Sequence, residues 1–149
     1  MSGSSRRDVL ALAVGGAALA VAGAAAQATP QEAADAIARF TGGVPPVPGK
    51  IAIDLPEIAE NGNTVPFAAT VDSPMTEEDH VSDILVVAQA NPRPRIVTFH
   101  LTPACGRADV ATRIRLAATQ DVVVVAKTSK GHFITASKTV KVTVGGCGG

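Results

Sequence analysis

The sequence carries a cysteine thiol close to the end of the chain. Cys147 stands between two glycines on each side, with Gly145 and Gly146 before it and Gly148 and Gly149 after it. Glycine has no Cβ and loses the most conformational entropy on ordering, so these five residues predict a thin, mobile arm. At about 3.3 Å per residue, such an arm extends over roughly 15 Å. A thiol on a slim arm suits insertion into the narrow pocket of another protein.

Cys147 would act as a thiolate nucleophile, and thiolates are favoured by nearby cations or by helix N-termini. The arm supplies neither, because the nearest basic residue in the sequence is Lys141. The sequence therefore predicts that a partner's pocket activates this thiol. A structural disulfide at Cys147 is the alternative.

The first 28 residues have the pattern of an export signal. Arg6 and Arg7 are followed by an uncharged apolar run from Val9 to Ala26, and residues 26–28 offer a small-x-small cleavage site. Paired arginines before such a run are typical of the twin-arginine leader, which exports folded proteins. We therefore expect a periplasmic protein that starts near Thr29 and has no membrane contact after cleavage. A membrane anchor is the alternative.

Cys105 is the second of only two cysteines, which are too few for a thiolate metal cage. Two cysteines in an exported protein often form a disulfide, and a bond between Cys105 and Cys147 would immobilise the arm. Such a bond needs Cα atoms within about 7 Å of each other. We interpret Cys105 as a free or partner-facing turn cysteine, with regulatory pairing as the alternative.

Other polar side chains give weaker signals. His100 lies five residues before Cys105, but a packed or solvated histidine is the favoured interpretation. Arg113 and Arg115 fall on one face of a predicted strand, where they could attract an anion, although a solvated face is favoured. The acidic residues 77–79 lack the ligand spacing of a metal loop, so no metal or cofactor is expected.

Composition excludes some function classes. The formal net charge is +0 over 149 residues, which argues against a nucleic-acid partner and for a single domain. Aromatic residues make up 3% of the chain, with no Trp or Tyr, so base stacking is not expected either.

Residues 29–49 are predicted to form a short helix, which Gly42 and Gly43 end, and a linker. Thr29, Pro30 and Glu32 form a capping-box pattern. Apolar side chains then share one helix face: Ala33, Ile37 and Phe40. This stripe must cover either the protein's own domain or a partner subunit, and the sequence leaves both open. The proline-rich residues 44–49 are predicted to be a stiff linker.

From Lys50 onward the apolar pattern changes to a period of two residues, with frequent turn signals. The predicted strands are 51–55, 64–72, 84–89, 96–101, 110–118, 122–126, 132–136 and 139–144. Seven or eight short strands about ten residues apart predict an all-β fold, an immunoglobulin-like antiparallel β-sandwich over residues 50–144, with the arm at 145–149. Pro66 predicts a sheet edge, and the apolar run 122–126 predicts a strand buried on both faces. In the last strand Val140, Val142 and Val144 are predicted to point inward.

Five stretches of the sequence together resemble the SoxY family, the sulfur-carrier subunits of the bacterial thiosulfate-oxidising Sox system. They are the twin-arginine leader, 71–76, 91–94 with 98–100, 113–117, and 140–149 with its terminal GGCGG. The resemblance runs over essentially the whole mature chain, and the terminal glycine–cysteine segment is its most specific part.

The resemblance implies an immunoglobulin-like carrier that pairs with SoxZ and performs no turnover itself. It implies that Cys147 holds the substrate covalently. SoxAX, a c-type haem enzyme, would conjugate thiosulfate to that sulfur oxidatively. SoxB, a manganese hydrolase, would release sulfate, and SoxCD, where present, would oxidise the remaining sulfane sulfur.

Two other classes remain to be compared with this one. A periplasmic β-sandwich binding module or chaperone would use the tail cysteine only for a structural or inter-subunit disulfide. A thiol oxidoreductase is disfavoured, because the chain has no Cys-x-x-Cys pair and no βαβ pattern.

Overall fold

The computed structural model describes residues 29–146, so the predicted leader and residues 147–149 lie outside the described part of the chain. The elements of this part are α1 (Pro30–Thr41), β1 (Val47–Pro48), β2 (Ile51–Asp54), β3 (Ile58–Ala59), β4 (Val65–Val71), β5 (Val81–Ala88), β6 (Arg95–His100), β7 (Ala108–Ile114), β8 (Gln120–Thr128) and β9 (Phe133–Val142). A short 3-10 turn, Pro103–Cys105, lies between β6 and β7. In this region α1 is not long or apolar enough to cross a membrane.

Two sheets form the body of the protein. The larger has the strand order β1-β9-β8-β5-β6, with β3 also paired to β9, and the smaller has the order β2-β4-β7. All pairs are antiparallel except those that β1 and β3 make with β9. The predicted immunoglobulin-like β-sandwich with one short N-terminal helix is therefore confirmed.

The main core lies between the two sheets. Strand β4 alternates buried and exposed residues along its length, as expected for a strand with one face on a core. Its Phe67 packs in one buried cluster with Ile84 of β5, Val124 of β8 and Ile114 of β7. Pro66 lies where β4 has only β7 beside it, because the pairing with β2 begins at Ala68.

Helix α1 covers the outer face of the larger sheet. The capping box predicted for Thr29 and Glu32 is present, and Gly42 ends the helix in a left-handed conformation. The predicted stripe packs on the sheet in a second apolar cluster, formed by Ala33, Ile37, Phe40, Leu85, Val87, Val123, Val125 and Phe133. The helix therefore packs on its own domain, and β8 is buried on both faces because α1 covers the side away from the main core.

The structure differs from the sequence-based expectation in several details. Strand β3 was not predicted, and the strand predicted at 110–118 ends at Ile114. Strand β9 is one ten-residue strand where two were predicted, because Ser137 and Lys138 pair with β8 without a break. Val144 is 62% exposed instead of inward, since it lies past the end of β9. The predicted linker contributes Val47 and Pro48 to a short edge strand beside β9.

Substitution of Phe40 tests the packing of α1 on its own sheet. The Phe40 ring meets the Phe133 ring edge to face, with centroids 6.0 Å apart. Because Phe40 is only partly buried, Phe40→Ala should lower the free energy of unfolding by about 2 kcal/mol, less than a fully buried Phe. Urea denaturation of the isolated mature chain measures this.

The matched control is Val44→Ala, just beyond the helix, where the side chain is 52% exposed. It should change the free energy of unfolding by no more than about 0.5 kcal/mol. Equal stabilities for the Phe40 variant and the wild type would contradict the observed packing.

Candidate functional site

The root of the predicted arm is fixed by backbone hydrogen bonds among three chain segments. The Gly62 N–H donates to the Val144 carbonyl at 2.8 Å, and the Leu116 N–H donates to the Gly62 carbonyl at 2.8 Å. The Gly146 N–H donates in turn to the Leu116 carbonyl at 2.9 Å. We call this meeting of residues 62, 116–117 and 144–146 the glycine junction.

Close approach of backbone to backbone is the reason for glycine here. A Cβ on Gly62 would lie 2.1 Å from the Leu116 oxygen and 2.6 Å from the Gly146 nitrogen. A Cβ on Gly145 would lie 2.1 Å from the Ala117 oxygen, and one on Gly146 would lie 2.6 Å from the Gly62 oxygen. No side chain fits at these three positions unless the segments separate.

The structure thus differs from the expectation of a free arm that starts at Gly145. Gly145 and Gly146 lie against the sandwich, and Gly146 is buried. The three residues that follow Gly146 span at most about 10 Å when extended, compared with roughly 15 Å for a five-residue arm. That Cys147, Gly148 and Gly149 form the carrier arm remains a prediction, because they lie outside the described residues.

The side chain of Asn91 stabilises the glycine junction through hydrogen bonds to the backbone of residues 115 and 117. Its side chain is almost fully buried, and its Nδ2 donates to the Arg115 carbonyl at 2.7 Å. Its Oδ1 accepts from the Ala117 N–H and from the Gln120 Nε2, both at 2.9 Å. The amide therefore fixes the segment that receives Gly146. The sequence singled out Asn91 only as part of the stretch 91–94 that carries the family resemblance, since no local pattern points to these distant partners.

Strand β3 and the residues that flank it form hydrogen bonds with the end of β9 and with Thr143, which follows it. The Thr143 N–H donates to the Ala59 carbonyl at 3.0 Å, and the Thr143 hydroxyl donates to the Glu60 carbonyl at 3.0 Å. The Lys141 N–H donates to the Glu57 carbonyl at 2.9 Å. The root of the arm is therefore bonded on both sides before the chain reaches Gly145.

The remaining candidate residues are distributed around the sandwich. Cys105 is exposed in the 3-10 turn, and its pairing with Cys147 is not tested because Cys147 is not described. His100 Nδ1 lies at 2.5 Å from the Asp83 carboxylate on the neighbouring strand β5, a hydrogen-bonding distance. His80 Nδ1 contacts the Thr76 carbonyl at 2.9 Å.

The acidic loop is exposed, and Asp79 pairs with Lys130 at 3.0 Å. Within residues 29–146 there is no group of three or more His, Cys, Asp or Glu side chains that could hold a metal ion. Arg113 and Arg115 are both exposed near the end of β7, beside the segment that receives Gly146.

These features define a class of small β-sandwich with a fixed C-terminal root, one residue before a glycine-flanked cysteine. The chain belongs to the SoxY family, since the family model described as "Sulfur oxidation protein SoxY" matches residues 37–147. The solved structure of the sulfur carrier protein SoxY from Chlorobium limicola f thiosulfatophilum is 32% identical, with a TM-score of 0.63. That match covers 78% of this chain and 100% of the Chlorobium chain.

Other comparisons show the fold alone. A superoxide reductase (neelaredoxin) from Ignicoccus hospitalis is 16% identical with a TM-score of 0.57, over 62% of this chain and 80% of that one. A putative superoxide reductase from Thermotoga maritima is 18% identical with a TM-score of 0.52, over 62% and 84%. A search of curated proteins found no significant match.

Gly62→Ala tests the glycine junction. The added methyl group would clash with the Leu116 and Gly146 backbones. We therefore expect residue 62 to separate from residues 144–146, which should lower the free energy of unfolding by about 1–3 kcal/mol. The Gly146 amide should then lose its protection from hydrogen exchange, measured by NMR.

Gly106→Ala is the control. A Cβ there meets no atom within 4 Å, but φ is +73°, so the variant pays conformational strain without touching the junction. Its Gly146 amide should exchange as in the wild type. Unchanged protection of Gly146 in the Gly62 variant would argue against the junction.

Proposed function

We propose that this chain is a periplasmic sulfur carrier that holds thiosulfate-derived sulfur covalently on Cys147 and presents it to Sox enzymes. The observation that carries the proposal is the family match, which runs along the sandwich and ends on residue 147 itself. The relative from Chlorobium, whose whole length is matched, is a sulfur carrier protein. The fixed root at Gly146 supports the same role, because it brings the chain to Cys147 from a defined place on the surface.

Loading of the carrier is an oxidation. The Cys147 thiolate and the sulfane sulfur of thiosulfate form a sulfur–sulfur bond, which gives Cys147–S–S–SO₃⁻ and releases two electrons. The proposed acceptor of those electrons is the haem of SoxAX. The carrier contributes the nucleophilic sulfur, and because its arm has no general base or cation, the partner's pocket promotes the thiolate.

Unloading begins with a hydrolysis. Water attacks the terminal sulfone, the bond between the sulfane sulfur and the sulfone breaks, and Cys147–S–S⁻, sulfate and two protons result. SoxB is the proposed hydrolase. SoxCD would then oxidise the sulfane sulfur that stays on Cys147, with further electrons passed to its own acceptors. The carrier is not an enzyme in this scheme, and it needs no cofactor.

Assembly and location complete the proposal. SoxZ is the proposed second subunit, and the contacts with SoxAX, SoxB and SoxCD are transient. Export of the folded chain by the twin-arginine leader in residues 1–28 would let a partner subunit without a leader travel with it.

Replacement of Cys147 tests the carrier role. Cys147→Ser should abolish thiosulfate-dependent electron transfer in a system reconstituted with the Sox enzymes, since the hydroxyl cannot form the sulfur–sulfur bond. Its melting temperature should equal that of the wild type, because the junction contacts of the described residues are backbone contacts of residues 62, 116–117 and 144–146, which the substitution leaves in place. Thiosulfate-dependent reduction of cytochrome c measures the first quantity, and circular dichroism the second.

Cys105→Ser is the matched control, as it removes the other thiol of the chain. It should retain electron transfer. If instead Cys147→Ser stays active and only a covalent dimer is lost, the tail cysteine makes an inter-subunit disulfide, and the chain is the binding module considered above.

A further inference from the structure

A cleft lined by arginines opens between the edges of the two sheets. It has a volume of about 330 Å³, and Arg93 and Arg95 from the start of β6 line it together with Arg113 and Arg115 from the end of β7. We call these four residues the arginine cleft. The cleft holds four of the eleven Lys and Arg residues of the described chain, so the positive charge of a nearly neutral protein is concentrated there.

None of the four arginines of the cleft forms an ion pair with a described residue. The ion pairs between charged side chains within residues 29–146 are those of Arg107 with Asp109 and of Lys130 with Asp79. Arg95 and Arg113 donate only to threonine hydroxyls, those of Thr98 at 2.9 Å and Thr64 at 3.5 Å. Four carboxylates line adjoining clefts without forming an ion pair with an arginine of the cleft: Glu32, Asp35, Asp54 and Asp83.

The arginine cleft adjoins the glycine junction. Arg115 directly precedes Leu116, whose carbonyl accepts the Gly146 N–H, and the carbonyl of Arg115 itself is held by Asn91. Arg113 reaches Thr64, two residues after Gly62. Arg113 in β7 and Arg115 just after it therefore belong to a segment that is bonded to the root of the arm.

Because the arm is short, the position of the arginine cleft beside the glycine junction matters for contact with a partner. On the proposed function, a partner enzyme must take Cys147 into its own pocket. Residues 147–149 extend at most about 10 Å from Gly146. The rim of that pocket must consequently come into contact with the surface around Gly146, which includes the arginine cleft.

We propose that the arginine cleft is the docking surface for an acidic rim around the active-site entrance of an enzyme that acts on the arm. Arginine forks pair well with carboxylates, and complementary charge mainly raises the rate of association. The four guanidinium groups are exposed and project from two different sheet edges, which suits several carboxylates on a protein surface. A single small anion would instead need buried donors that converge on one point.

The double variant Arg113→Gln with Arg115→Gln tests this proposal. The substrate is the chain in the complex purified with its accompanying subunit, loaded with thiosulfate on Cys147. The measurement is kcat/KM for sulfate release by the SoxB-type hydrolase, from about 0.02 M to about 0.5 M salt. The control is Arg107→Gln with Lys130→Gln. It removes the same charge from two residues that each form an ion pair, one just before β7 and the other just after β8.

For the wild type and the control, kcat/KM should fall about tenfold with salt, since screening weakens steering by charge. For the Arg113/Arg115 variant, kcat/KM at low salt should be about tenfold lower than that of the wild type. It should also be nearly independent of salt, with kcat unchanged. Alkylation of Cys147 by neutral iodoacetamide should be equally fast in all three proteins, because that reaction needs no docking.

Three results would overturn the proposal. One is a wild-type rate and salt dependence in the Arg113/Arg115 variant. Another is a raised KM for free thiosulfate during loading with an unchanged KM for the carrier, which would assign the cleft to a small anion. The third is loss of the accompanying subunit, which would make the cleft a subunit interface. Absence of any sulfur adduct on wild-type Cys147 would instead defeat the proposed function, and the docking surface with it.

Discussion

One packing constraint fixes the C-terminal end of the sandwich: the meeting of three backbone segments at the glycine junction, where Gly62, Gly145 and Gly146 lie. Each hydrogen bond there contributes only about 1 kcal/mol net. The exclusion of side chains is the stronger requirement, because a Cβ on Gly62 would lie 2.1 Å from the Leu116 oxygen. The junction sets the place on the sandwich from which the chain continues to Cys147.

A fixed root changes what the glycines before the cysteine do. On the proposed function, a five-residue flexible arm would let partners act at a distance from the sandwich, whereas a root held at Gly146 would make them approach it closely. Recognition can then use the surface beside the root, where the arginine cleft lies. Gly148 and Gly149 add no side chains after Cys147, which suits entry of the cysteine into a narrow pocket.

Local signals in the sequence predicted the local structure well. The capping box at Thr29 and the β-branched run at 122–126 are contained in short stretches, and both are confirmed. The continuity of β9 through Ser137 and Lys138 was missed, because two polar residues resemble a turn until their pairing with β8 is known. The glycine junction and the arginine cleft join segments far apart in the chain, and one sequence contains no sign of such contacts. The flanking glycines pointed to Cys147 as a thiol on an arm, and the family resemblance alone implied that this thiol holds a substrate covalently.

Intact and peptide mass spectrometry of the protein, purified from thiosulfate-oxidising cells and analysed before and after mild reduction, tests directly whether Cys147 carries sulfur. We predict sulfur and sulfonate additions on the C-terminal peptide that contains Cys147, removed by reduction, and none on the peptide that contains Cys105. A Cys147 found only in a permanent disulfide, or additions confined to Cys105, would contradict this prediction.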